Sequence, residues 1–178
     1  MKNKIIQFWF EDIEPKQWWK KSDSFDQLLV EQYKDVHAQA NRCELYQWRE
    51  SPEGRLAEII VLDQFSRNMY RDTENAFSSD LLALILAQEA IAVGADDLLN
   101  EVQRSFLYMP FMHSESLIIH EAGLKLFQAG TSESSINFEV RHKKIIETFG
   151  RYPHRNKILG RTSTKEELEF LEQPGSSF

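Results

Sequence analysis

The stretch Ser51-Pro52-Glu53-Gly54-Arg55-Leu56-Ala57-Glu58-Ile59-Ile60-Val61-Leu62-Asp63-Gln64-Phe65-Ser66-Arg67-Asn68-Met69-Tyr70 sets the fold class. Ser51 can cap a helix, and Pro52 fits the first turn, where its missing N–H costs nothing. Leu56, Ile59, Ile60, Asp63, Arg67 and Tyr70 then recur at helical spacing on one stripe, which predicts a helix from Pro52 to about Tyr70. The apolar face passes into Asp63 and Arg67, an acid followed four residues later by a base, and Arg71 follows four residues after that. Two readings stand side by side. The pair is an intrahelical ion pair worth a few tenths of a kcal/mol, or it faces inward around a polar pocket. A buried guanidinium there needs a carboxylate or an anionic ligand.

Helical spacing continues on both sides of this stretch. After Ser22, the residues Phe25, Leu28, Leu29, Tyr33 and Val36 share a face. A helix is expected from Ser78 or Ser79 to Gly94, and another from about Pro110 to Ala129, stopped by Gly130. Phe138, His142, Ile145, Ile146 and Phe149 line up in a helix from about Ser135 that Gly150 ends. Tyr152-Pro153 enters a short turn closing at Gly160, and Ser163 with Glu166 has the spacing of a capping box. No alternating strand appears. The expectation is an all-α fold, a single compact domain of six to eight antiparallel helices over residues 1–178. Its ordered core is about 5–171, and residues 173–178 form a frayed tail.

The composition is that of a globular chain: 178 residues, 42% hydrophobic and 28% charged, with twelve Phe and four Trp for an aromatic-rich core. A net charge of −7 makes whole-surface nucleic-acid binding unlikely. The single cysteine, Cys43, offers neither an internal disulfide nor a Cys-based zinc site, which suits a reducing compartment. The run Ile5–Phe10 is too short for a signal peptide, and no later run spans a bilayer. A cytoplasmic protein is expected, with no membrane partner.

Polar side chains gather in two further places. Pro110-Phe111-Met112-His113-Ser114-Glu115 opens a stripe of His113, Leu117, His120, Leu124 and Phe127. A histidine there is a hydrogen-bonded core residue or an acid–base group, and Ser114 and Glu115 can cap the helix. Between Arg141 and Arg161, seven Lys or Arg meet one acid, Glu147, a local +6 against −13 for the remainder. Within it, Arg151-Tyr152-Pro153-His154-Arg155-Asn156 follows a helix-ending glycine, where backbone amides flanked by Arg and His suit a phosphate or carboxylate. The plain alternative is a solvated charge run. His142 lies on the apolar face just before it. His113, Glu115, His142 and His154 have no spacing typical of metal ligands, so no metal is assigned and the cofactor is left unknown.

At these residues the chain resembles a bacterial family of unknown function, DUF924. The matching segments are Phe8-Trp9-Phe10, Leu62-Asp63-Gln64-Phe65 with Arg67-Asn68 and Arg71, and Phe106-Leu107-Tyr108-Met109-Pro110 with His113-Ser114-Glu115. The most specific is Phe149-Gly150-Arg151-Tyr152-Pro153-His154-Arg155-Asn156, followed by Leu159-Gly160-Arg161 and Ser163-Thr164. The resemblance runs from about Ile5 to Leu171. It implies an all-α fold similar to tetratricopeptide-repeat proteins and no established activity. The family pattern has Pro where this chain has Ser66 and Gln where it has His120, which sets His120 aside as a functional residue.

Two functions follow as expectations. In the first, Asp63, Arg67, Arg71, Arg151, Arg155, Asn156 and Arg161 surround a small anionic ligand bearing phosphate or carboxylate. His113, His142, His154 and Glu115 are then the candidates for acid–base catalysis, which leaves both an enzyme and a binding protein open. In the second, the helices form a tetratricopeptide-repeat-like module whose basic groove takes an acidic peptide, and the polar cluster is structural.

Overall fold

Local signals set most of the helices in a computed structural model that describes residues 1–177. The expected tail residue Phe178 lies outside the described residues. Helix α1 (Lys2–Gln7) runs into a π-helical stretch, Phe8–Asp12, and a 3₁₀ turn, Pro15–Trp19. Helix α2 (Asp23–Asn41) is capped by Ser22, whose Oγ accepts from the Phe25 amide. Helix α3 (Pro52–Ile60), a π-helical stretch Val61–Phe65 and helix α4 (Ser66–Met69) form the continuous rod expected from Ser51-Pro52. Helix α5 (Asp80–Ala92) and helix α6 (Glu101–Met112) follow. Helix α7 (Leu117–Gly130), helix α8 (Glu133–Phe149) and helix α9 (Lys165–Leu171) complete the fold. No strand occurs among the described residues.

Three boundaries differ from expectation. Pro110 does not start a helix; it sits in the last turn of α6. That helix is nucleated at its other end, where Asn100 and Gln103 bond each other's backbone amides in a capping box. A proline two residues before the helix end removes one hydrogen bond from a helix already formed. The C-terminal capping box is Thr164 with Glu167, one residue beyond Ser163 and Glu166. Both pairs have the right spacing, but only Glu167 is also bonded by Arg151 and Asn156. The tail turns back at Ser176, which is buried and donates its hydroxyl to the Leu171 carbonyl.

One contiguous core joins α1 to α7. Trp9 is fully buried at its centre, with the rings of Phe65 and Phe106 at 5.6 and 5.8 Å. The apolar run Ile5–Phe10 is thus consumed by packing. Consecutive helices α6, α7 and α8 pack on one another across short links. The longest fully buried stretch is the middle of the α3–α4 rod, so Asp63 is carried into the interior by the same face that buries Leu56, Ile59, Ile60 and Leu62. A second, smaller cluster of Ile145, Ile146 and Tyr152 holds the C-terminal turn against α8, closed at Gly150, whose φ of +68° favours glycine.

Candidate functional site

The π-helical turn shapes the first half of the site. In that register each carbonyl's backbone partner lies five residues on, and side chains four residues on reach in instead. Ser66 Oγ donates to the Leu62 carbonyl at 2.6 Å, Arg67 Nη1 to Asp63 O at 3.0 Å, and Asn68 Nδ2 to Gln64 O at 2.8 Å. Asp63 is almost completely buried and fully bonded. Its Oδ1 receives His113 Nδ1 at 2.7 Å and Arg67 Nη1 at 3.1 Å, and its Oδ2 receives Gln64 Nε2 at 2.6 Å. Burial alone would raise the Asp63 carboxyl, but Arg67 and His113 outweigh it and hold it below the ordinary carboxylate range.

His113 follows α6 and ends it, so it stands on a loop and not on the stripe of the next helix. The link Ser114-Glu115-Ser116 turns the chain before α7 begins, which removes His113 from the line of Leu117 and His120. Burial, then the nearby Arg67, lowers the His113 pKa, while Asp63 opposes them. The ring is therefore neutral near pH 7. With Nδ1–H donated to Asp63, its remaining nitrogen, Nε2, carries a lone pair.

Beside His113 lies a cavity of about 420 Å³ lined also by Asp80, Ser114, Glu115 and Arg155. Arg155 is only 6% exposed. Its guanidinium lies against the rings of Phe77 and Tyr152, at 4.6 and 4.5 Å from their centroids. Among the described residues its one side-chain hydrogen bond is long, Nη1 to Asp80 Oδ2 at 3.4 Å, and its buried Nε finds no acceptor. Burial, then Arg67, weakens its hold on the proton. Arg67 itself forms a bidentate pair with Asp80, at 2.9 and 3.1 Å.

The remaining expected site residues are tied up elsewhere. Arg151 does not line the cavity; it is bidentate to Glu167 at 2.6 and 2.8 Å and reaches the Thr162 carbonyl. Arg161 is bidentate to Glu115 at 2.6 and 2.9 Å, and Glu115 also accepts from the Tyr152 amide. Glu115 thus reaches the cavity wall as a carboxylate already neutralised. Burial works to raise it, but Arg161 and the Tyr152 amide prevail. Arg71 pairs with Asp26 at 2.6 and 2.8 Å, on the side facing α2. Asn156 is fully buried, donating to Ser163 and Glu167 and accepting from Arg161 Nε. The three arginines share one reason: each partly buried guanidinium takes a carboxylate partner.

His142 and His154 lie around Tyr152 and do not line the cavity, their ring centroids 5.9 and 5.5 Å from its own. His142 Nδ1 donates to the Phe138 carbonyl at 2.7 Å. Burial pushes the His142 pKa down to about 3 and that of His154 to about 4. His120 is fully buried, bonded to Glu139 and to the Ser114 carbonyl, both at 2.8 Å. Among the described residues, no three His, Cys, Asp or Glu side chains converge as a metal would require. No helix among them is long and apolar enough to cross a membrane.

Sequence reasoning missed Asp80 and Phe77. Asp80 sits thirteen residues from Arg67 and seventy-five from Arg155, so no local spacing connects them. The one signal was indirect: two inward-facing arginines with too few carboxylates.

The chain matches a family of bacterial proteins of unknown function, DUF924, over residues 5–175. It is similar to the solved structure of a protein of unknown function from Agrobacterium tumefaciens. That protein is 37% identical, with a TM-score of 0.92 and 96% of each chain covered. No curated protein matches it.

Proposed function

We propose, for a chain that belongs to the bacterial DUF924 family, that the cavity beside α6 binds a small anionic molecule and that His113 exchanges a proton with it. The observation carrying this reading is the pair of His113 and buried Asp63 opening on a cavity that also holds Arg155. Donation of Nδ1–H to Asp63 fixes the tautomer, so Nε2 accepts the ligand's proton. The imidazolium formed is stabilised by the Asp63 carboxylate and returns the proton in the reverse step. Arg155, under-bonded and held rigid between two rings, anchors the anionic group.

An acidic peptide on a basic groove is the weaker reading. It needs Arg151 and Arg155 on one surface, and Arg151 is instead closed on Glu167.

The test is a thermal-shift screen of the purified chain against small carboxylates and phosphorylated metabolites. A ligand at 100 times its Kd stabilises by about 2.7 kcal/mol, roughly 5–10 °C for a chain of this size. Arg155→Met should abolish the shift. His113→Gln should keep it and lose turnover of the ligand so identified. A flat screen with Arg155→Met as stable as the parent overturns the reading.

A further inference from the structure

The cavity wall is part polar and part apolar. Besides Arg155 and His113 it includes Phe77, Leu81, Leu84, Pro110 and Leu159. Leu81 is 76% exposed at the rim although it belongs to α5, a helix with enough apolar residues to leave some outside the core. Its volume of about 420 Å³ corresponds to roughly fourteen water molecules at about 30 Å³ each. A bare phosphate or acetate would leave most of that wall uncovered, and apolar surface in contact with water is where burial by a ligand gains most.

Acids outnumber bases around the cavity. Arg67, Arg155 and Arg161 stand against Asp63, Asp80 and Glu115, and Glu74 adds another acid to the wall. A dianion would therefore meet Asp80 and Glu115 without a surplus cation to offset its second charge. Arg155 lines the cavity with a guanidinium whose bond to Asp80 is long and whose buried Nε–H has no acceptor among the described residues. A planar, singly charged carboxylate suits the guanidinium edge that borders the cavity.

We infer that the ligand is an amphiphilic monocarboxylate: a carboxylate at Arg155, a proton-bearing group beside it facing His113 Nε2, and an aliphatic or aromatic body along the Leu81–Leu84 wall. This rests on the small-molecule reading above and narrows it to one substrate class. The apolar wall sets how far the body extends, and the excess of acids disfavours doubly charged phosphate monoesters.

Calorimetric titration of the full chain with straight-chain carboxylates of two to ten carbons, and with alkyl phosphates of matched length, tests it. Affinity for the carboxylates should rise about fourfold per methylene until the cavity is filled. At equal body length, carboxylates should exceed phosphates by about tenfold. Leu81→Ser, at an exposed position, should flatten the methylene dependence without lowering the melting temperature. Arg155→Met should remove binding of every acid. Length-independent binding, or tighter phosphates, would overturn the substrate class while leaving the pocket reading intact, provided that binding still requires Arg155. Absence of any Arg155-dependent binding of either series removes both.

Discussion

Glu139 on α8 and His120 on α7 are both fully buried, and their contact is the tightest charge-bearing link between those two helices. The second carboxylate oxygen of Glu139 has no partner among the described residues. Burial pushes the Glu139 carboxyl up, and His120 works against that. A buried pair of this kind gives little net stability when intact, because desolvation offsets attraction, but losing one member strands the other. Glu139→Ala is therefore expected to cost about 3–5 kcal/mol. Glu139→Gln, which preserves shape and one hydrogen bond, should cost clearly less. Urea unfolding measures both, and near-equal effects would show that packing volume, not the polar link, is what matters there. His120 is thereby explained as a strut between helices, consistent with its place outside the cavity.

At the level of elements, α9 is seven residues long, too short to persist unsupported. Glu167 supplies most of its support, as the N3 member of the capping box and as the partner of Arg151 and Asn156. The Arg151 guanidinium, with the other bonds, brings the Glu167 carboxyl down to about 2. Glu167→Ala removes all of these bonds together. The expected loss is about 2–3 kcal/mol, with amide exchange in 165–171 accelerating before any change in α3 or α6. Uniform acceleration across the chain would mean that α9 is not a separately opening unit. The basic run of the sequence is thus largely explained at this scale: Arg151 and Arg161 clamp the C-terminal turn to α9 and to the α6–α7 link.

Across the whole molecule, His142 and His154 are held neutral by burial against Tyr152, with pKa values near 3 and 4. A histidine whose folded pKa lies below its unfolded value near 6.5 binds more protons when unfolded in that interval. Its contribution is intact above pH 6.5 and declines as the pH falls towards the folded values. Each should cost about 2 kcal/mol between pH 6.5 and pH 5. Asp63 and Glu115, with lowered pKa values, reinforce the loss below about pH 4. Melting temperature should therefore fall steeply between pH 6.5 and 5, and His142→Gln should make that slope shallower by about one proton; an unchanged slope would mean His142 titrates normally. Sequence alone determined most of the helices, though not α6, because caps such as Ser22, Ser51-Pro52 and Gly150 and the spacing of Leu56, Ile59 and Ile60 act within a few residues. Asp63, His113 and Arg155 were among the eleven polar residues it marked, since acids, bases and imidazoles on otherwise apolar faces are costly to bury. What it could not rank was the arginines. Arg151, Arg161 and Arg155 look alike in a basic run, and only packing across long separations gives Glu167 to the first and Glu115 to the second. Arg155 is left under-bonded at the cavity. Which guanidinium stays open to a ligand depends on which carboxylates the fold carries to it, and that is a property of the tertiary structure.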